Sequence, residues 1–167
     1  MSDNSKPAKV PAQQQIPPGT ISQLKPQADH GEESYVGSGK LQGKIALITG
    51  GDSGIGRAVA IAYAREGADI VLSYLNKHDD ARSTAEWIEK AGRKVIVVAG
   101  DITDEAHCKA LIETAVKQLG GLDILDNNAA FQRTYDDIGD ITADEWDTTF
   151  CTNIYAPFFL SKAAVRI

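Results

Sequence analysis

Cysteine is scarce in this chain. Only Cys108 and Cys151 occur among the 167 residues, too few and too far apart for a disulfide framework or a zinc site. Histidine is nearly as rare: His30, His78 and His107 are scattered without metal-ligand spacing, so no metal is expected. His107 and Cys108 are adjacent, but neighbours on a helix point in different directions, which argues against a working Cys–His pair. No apolar run reaches the ~18 residues of a membrane span and no apolar h-region opens the chain, so no membrane partner is expected and the protein reads as cytoplasmic. Positive charge is in deficit: 17 basic against 23 acidic residues leave a net charge of −6, which argues against a general nucleic-acid binder. Proline is almost confined to one end, with five of the six prolines in the first 40 residues and the sixth at Pro157. There is no internal repeat.

What is present divides the chain in two. Residues 1–40 hold those five prolines, a glutamine cluster at Gln13 to Gln15 and few large apolar side chains. Too little apolar surface is available there to offset ordering entropy, so an extended or disordered arm is expected. Residues 41–167 carry the domain. Its organising stretch runs from Leu41 to Tyr74: apolar Ile45 to Thr49, then Gly50-Gly-Asp-Ser-Gly54-Ile-Gly56-Arg57, then a helical pattern to Gly67, then Asp69 to Tyr74. Strand, glycine turn, helix, strand is a βαβ unit with a phosphate site at its first turn. Gly50 lets the chain leave the strand sharply. Gly54 removes a side chain where a diphosphate approaches the backbone, and Gly56 lets the helix pack close to the strand. The helix beginning near Gly54 aims free N–H groups and its positive dipole end at the same point. Ser53 can add a hydroxyl donor and Thr49 can brace the turn. A glycine turn alone also suits a strand-to-helix corner with no ligand; the βαβ context favours nucleotide binding.

Strand and helix patterns then alternate. Ile55, Val59, Ala62 and Tyr63 mark one face of the first helix at 3.6 spacing. A second helix is expected from about Ala81 to Ala91, with Ala85 and Ile88 inward and Gly92 at its end. Val95 to Ala99 is a third strand, and its continuous apolar character indicates a parallel sheet covered on both faces. Thr103 caps a helix through Leu119, with Leu111, Ala115 and Leu119 on one stripe. Leu122 to Leu125 is a fourth strand, ending in Asn127-Asn128-Ala129-Ala130. After a polar loop from Phe131 to Ile141, Thr142 and Glu145 form a capping box for a long helix carrying Trp146, Phe150, Ile154, Phe158 and Ala163. Pro157 inside it predicts a kink. The fold class is α/β, and right-handed crossovers set the strand order 3-2-1-4. Asp101, just past the third strand, can accept an adenine amino group, although such a residue is more often a helix-entry aspartate. Asn127, Asn128 and Ala129 end the fourth strand, where amides can brace neighbouring strands and touch a cofactor ribose.

In this order and spacing the chain from Leu41 to about Ala164 resembles the short-chain dehydrogenase/reductase family. Gly50, Gly54, Ile55 and Gly56 match the coenzyme motif, Asp101 the adenine-ring aspartate, Asn127, Asn128 and Ala129 the Asn-Asn-Ala-Gly motif, and Asn153 the asparagine of the Asn-Ser-Tyr-Lys catalytic tetrad. The Pro/Gln-rich arm is similar to that of a bacterial subgroup of NAD(P)-dependent oxidoreductases. The resemblance implies a Rossmann-type doubly wound parallel sheet, NAD or NADP as cofactor, and hydride transfer between it and an alcohol or carbonyl substrate. It also implies a homo-oligomer. The departures are as specific. No tyrosine has a lysine four residues on: Tyr35, Tyr63, Tyr74, Tyr135 and Tyr155 are followed at that offset by Gly39, Gly67, His78, Gly139 and Phe159. The expectation is a C-terminally truncated member lacking the catalytic serine, tyrosine and lysine, inactive as it stands, with an incomplete subunit interface and an exposed apolar edge at strand four. A noncatalytic dinucleotide-binding module and a nonfunctional truncated product are the alternatives. Asp126 and Ala130 also depart from the pattern, and a carboxylate in a central strand costs several kcal/mol unless paired. The acid that selects NAD is absent near Tyr74 and Leu75, so NAD and NADP both stay open.

Overall fold

The computed structural model describes residues 11–15 and 21–167; the expected arm over 1–40 lies partly outside them. Four strands, β1 (Ile45–Thr49), β2 (Asp69–Tyr74), β3 (Val95–Ala99) and β4 (Ile124–Asp126), form one parallel sheet in the order β3-β2-β1-β4. Ile45 pairs with Asp69, Ala46 with Ile124 and Ile70 with Val95. The helices are α1 (Gly54–Arg65), α2 (His78–Lys90), α3 (Glu105–Thr114), α4 (Ala143–Phe150) and α5 (Ala156–Ala164). This is the expected Rossmann-type α/β order, with β1 and β4 diverging at the point where the winding reverses.

Side-chain alternation explains why the central strands are apolar throughout. Ala46, Ile48, Ile70 and Leu72 face Ala60 and Ala64 of α1 and Ala81 and Ile88 of α2. Leu47 and Val71 point the other way, to Leu111, Ile112 and Ala115 and to Ala156 and Leu160 of α5. Coverage on both faces holds for β1 and β2 but not for β3, which is an edge strand with Val97 40% exposed.

Several boundaries differ from the sequence expectation. The first helix buries Gly56, Arg57, Ala60, Ile61 and Ala64, so its inward stripe is not the one through Ile55, which is 77% exposed. The second helix starts at His78, not Ala81, and places Asp79 and Asp80 in its first turn, where they suit the dipole. The cap of α3 is Asp104, not Thr103: its carboxylate accepts from the Ala106 N–H at 2.9 Å. α3 runs on through a π-helical turn, Ala115–Leu119. Strand four is shorter and later than 122–125. As it is an edge strand, Asp126 is half-buried, and burial raises its pKa. Thr142 does cap α4, accepting from Glu145 N at 3.2 Å. The break in the last helix falls earlier than Pro157: α-geometry gives way to a π turn at Cys151–Tyr155. Pro157 then sits in the first turn of α5, where its missing N–H costs nothing.

The segment before β1 is pinned to α1. Arg65 donates to the carbonyls of Glu32 and Tyr35. The Tyr35 hydroxyl donates to Glu66, whose other carboxylate oxygen accepts from Ser38 N at 3.0 Å and Lys40 N at 2.8 Å. Among the described residues no helix is long and apolar enough to cross a membrane.

Candidate functional site

The carboxyl end of β1 is tied to the segment after β4 by two short side chains. Thr49 is fully buried; its hydroxyl donates to the Asp126 carbonyl at 3.2 Å and accepts from Ala129 N at 3.1 Å. The Asn128 amide donates to the carbonyls of Thr49 at 2.9 Å and Gly50 at 3.2 Å. β1 and β4 thereby present their carboxyl ends as one rim, at the crevice where open parallel sheets receive ligands.

Glycine is required in this rim for different reasons. Gly50 has φ +64°, and a Cβ there would crowd Ala129 Cα at 3.1 Å. At Gly56 a Cβ would lie 2.1 Å from the Gly50 carbonyl oxygen, so α1 approaches its own strand as closely as backbone allows. Gly54 has φ +53° with nothing within 4 Å of where a Cβ would be. The turn is therefore open at Gly54, where a side chain would meet no other atom, and packed at Gly50 and Gly56. Ser53 stands at the N-cap of α1 with extended φ −149°, but its hydroxyl donates to Asp52 Oδ2 at 3.1 Å instead of capping. The first-turn amides of α1 and its dipole are left to an anion in the cleft.

The cleft above the rim has a volume of about 590 Å³, lined by Gly50, Ser53, Ile55, Asp101, Asn128 and Ala129 among others. Ile55, outside the core, serves as an apolar wall here. Asp101 is exposed at the far side, and its Oδ1 accepts from Thr103 N at 2.9 Å. The helix-entry role and a place on the cleft thus coexist in one residue. Thr49, Gly54 and Gly56 belong to the turn without lining the cleft, and Asn127 is exposed outside it. Asn153 lies in the π turn. Its Oδ1 accepts from Phe131 N at 2.9 Å and its Nδ2 donates to Phe131 O at 2.8 Å. It borders a neighbouring pocket of about 770 Å³ with Tyr135 and Trp146, and it fixes the chain just after Ala129-Ala130. π turns of this kind are common at functional sites.

The structure adds residues that the sequence did not single out. Asp52, 8% exposed, and Thr148 and Thr152 line the cleft; the i,i+4 spacing of the two threonines was the available signal. Cys108 is buried, donates to the Ile102 carbonyl at 3.0 Å, and has its pKa pushed up to about 11 by burial. It is a structural thiol, not a nucleophile. Among the described residues no group of three or more His, Cys, Asp or Glu is placed to hold a metal ion.

Comparison with known proteins agrees with this geometry. The short chain dehydrogenase family model matches residues 44–167. General stress protein 39 of Bacillus subtilis (strain 168) is 49% identical over 160 residues, 95% of this chain and 56% of that protein. Oxidoreductase YghA of Escherichia coli (strain K12), itself uncharacterized, is 47% identical over 95% of this chain and 54% of its own. The chain spans about half the length of the curated relatives it matches. Among solved structures, a short chain dehydrogenase from Burkholderia cenocepacia J2315 in complex with NADP superposes with a TM-score of 0.73 at 38% identity, over 76% of this chain and 51% of that one.

Proposed function

The chain belongs to the short chain dehydrogenase family, and from that membership we propose that it is the coenzyme-holding part of an NAD(P)-dependent oxidoreductase acting on an alcohol or carbonyl substrate. The observation that carries this reading is the joined rim: Thr49 and Asn128 lock β1 to β4, and Gly50, Ser53 and Ile55 of the glycine turn line the cleft beside them. An NADP-bound relative supports a nicotinamide dinucleotide, NAD or NADP, as the ligand. Its diphosphate lies against Gly50 to Gly56 and the first amides of α1, with Ser53 and Ile55 beside it. Its adenine lies by Asp101, and a ribose by Asn128 and Ala129. Asn127 supports the strand end, and Asn153 holds the Phe131 backbone at the cleft's nicotinamide side.

Hydride transfer in this family relies on a tyrosine whose proton is made available by a lysine four residues on. These 167 residues contain no such pair, so on their own they bind dinucleotide without turning it over. Calorimetry with NADH and NADPH tests the site, and a turnover assay with a panel of alcohols and sugars tests the chemistry. Binding without turnover is expected. Turnover above background overturns the inactivity, and binding of neither dinucleotide overturns the site.

A further inference from the structure

Glu32 lies in the segment that precedes β1, yet its carboxylate reaches beneath the glycine turn. Its Oε1 accepts from Arg57 Nε at 2.8 Å, and the two side chains are 12% and 6% exposed. Arg57 follows Gly56 directly and faces the interior of α1. A buried guanidinium needs a counter-charge, and the carboxylate that approaches it comes from outside the domain the strands define. The planar fork of Arg57 spans two elements at once. While Nε holds Glu32, Nη1 donates to Thr84 Oγ1 at 2.9 Å and to Ser83 Oγ at 3.3 Å, both on α2. Thr84 is fully buried. Arg57 fills one of its lone pairs, so its single hydrogen goes to a carbonyl: Asp52 at 3.0 Å or Asp80 at 3.1 Å. Asp52 sits midway between Gly50 and Gly54. With that hydrogen on Asp52, a continuous polar path runs from Glu32 through Arg57 and Thr84 to the backbone of the coenzyme turn; with it on Asp80, the path ends within α2.

The segment that supplies Glu32 is anchored independently of that path. Arg65 holds the Glu32 and Tyr35 carbonyls, and Glu66 holds the Tyr35 hydroxyl and the Ser38 and Lys40 amides. Gly37 lies so close to α1 that a Cβ would stand 2.0 Å from the Arg65 carbonyl oxygen. We propose that residues 29–40 act as a clamp on the coenzyme turn, with Glu32 as a positioning residue that acts through Arg57 and Thr84 on the Asp52 carbonyl. The inference rests on the reading of the cleft as a dinucleotide site. Because coupling between sites is reciprocal, dinucleotide in the cleft and the docked segment stabilise each other.

Calorimetry with NADH on the whole chain, paired with thermal melts, tests this. Glu32→Gln keeps the shape and removes the charge, and Thr84→Val cuts the path while leaving the ion pair. Each is expected to weaken NADH by about tenfold. Tyr35→Phe removes one hydrogen bond to Glu66 but leaves Glu32 held on Arg57 and its carbonyl on Arg65; it is expected to lower Tm while keeping NADH affinity within about twofold. NADH is also expected to slow tryptic cleavage after Lys40 in the wild type and not in Glu32→Gln. Wild-type affinity in Thr84→Val, or in a folded Glu32→Gln, overturns the clamp. So does an affinity loss in Tyr35→Phe equal to theirs, which makes the segment merely structural. A wild-type chain that takes up no dinucleotide overturns the site reading and the clamp with it.

Discussion

Gly56 tolerates no side chain. A Cβ there would meet the Gly50 carbonyl oxygen at 2.1 Å and Asn128 Nδ2 at 2.5 Å, so Gly56→Ala must push α1 off β1 and displace the turn. Losing one charge-assisted hydrogen bond from the first amides of α1 costs about 1.5–3 kcal/mol, so NADH calorimetry on Gly56→Ala is expected to read a loss of about tenfold or more. Asn128 offers a second test at the same scale. Its amide faces two carbonyl oxygens, so Asn128→Ala removes two hydrogen bonds and is expected to cost about 1–3 kcal/mol in denaturant unfolding. Asn128→Asp sets a carboxylate against both carbonyls and is expected to be worse than alanine; a milder effect would mean the amide is not a donor to β1. The glycines were legible in the sequence because left-handed φ and close backbone approach exclude every other residue. Arg57 was not, since a charged residue on a helix is read as solvated until its counter-charge is found, and Glu32 lies 25 residues away. Ile55 misled for a related reason: 3.6 spacing finds an apolar stripe but does not distinguish a core from the wall of a cleft.

The strands followed their sequence signals more closely than the helices, whose ends and inward stripes moved even where they pack on the sheet. α2 begins at His78 behind Lys77, a position without the usual capping side chain, so Asp79 and Asp80 in its first turn were the only mark of its start. The π turn at Cys151–Tyr155 likewise has no residue pattern of its own; Pro157 marked the right region but the wrong residue. The segment before β1 illustrates how a polar stretch is held when its partners are charges. The Tyr35 hydroxyl, with the Lys40 and Ser38 amides, holds the Glu66 carboxyl down to about 2 from the ordinary 4.5. A depressed carboxylate pKa contributes stability that is fully present above about pH 4.5 and is lost as pH falls toward 2. The segment is therefore expected to release across that acid window, read as faster amide exchange at Ser38 and Lys40. Tyr35→Phe removes the largest of the three contributions, so it is expected to move the release to higher pH. A release midpoint that Tyr35→Phe leaves in place would separate segment docking from the Glu66 charge.

At the scale of the whole molecule, handedness fixed the strand order before any contact was known, because three strands joined by right-handed crossovers and a reversal leave only 3-2-1-4. Exposure was not legible in the same way. Trp146, Phe150, Ile154 and Phe158 recur at i+4 along the last helical stretch, yet they are 56%, 37%, 54% and 59% exposed, while Ala156 and Leu160 carry the packing of α5. Helical spacing locates an apolar face without saying what covers it. In these 167 residues that face lies on the elements that follow β4, an edge strand, and an apolar face beside a sheet edge is a surface on which copies of these residues are expected to associate. Sedimentation velocity at about 100 μM is expected to show species larger than a monomer. The paired change Trp146→Glu and Phe158→Glu touches neither the core nor the cleft, and is expected to shift the population toward monomer while leaving NADH affinity within about twofold. If association survives the paired change, the aromatic face is not its source. A charge at Leu125 would not separate the two, because that side chain packs into the apolar layer with Leu47, so the aromatic face is the surface on which the question can be decided.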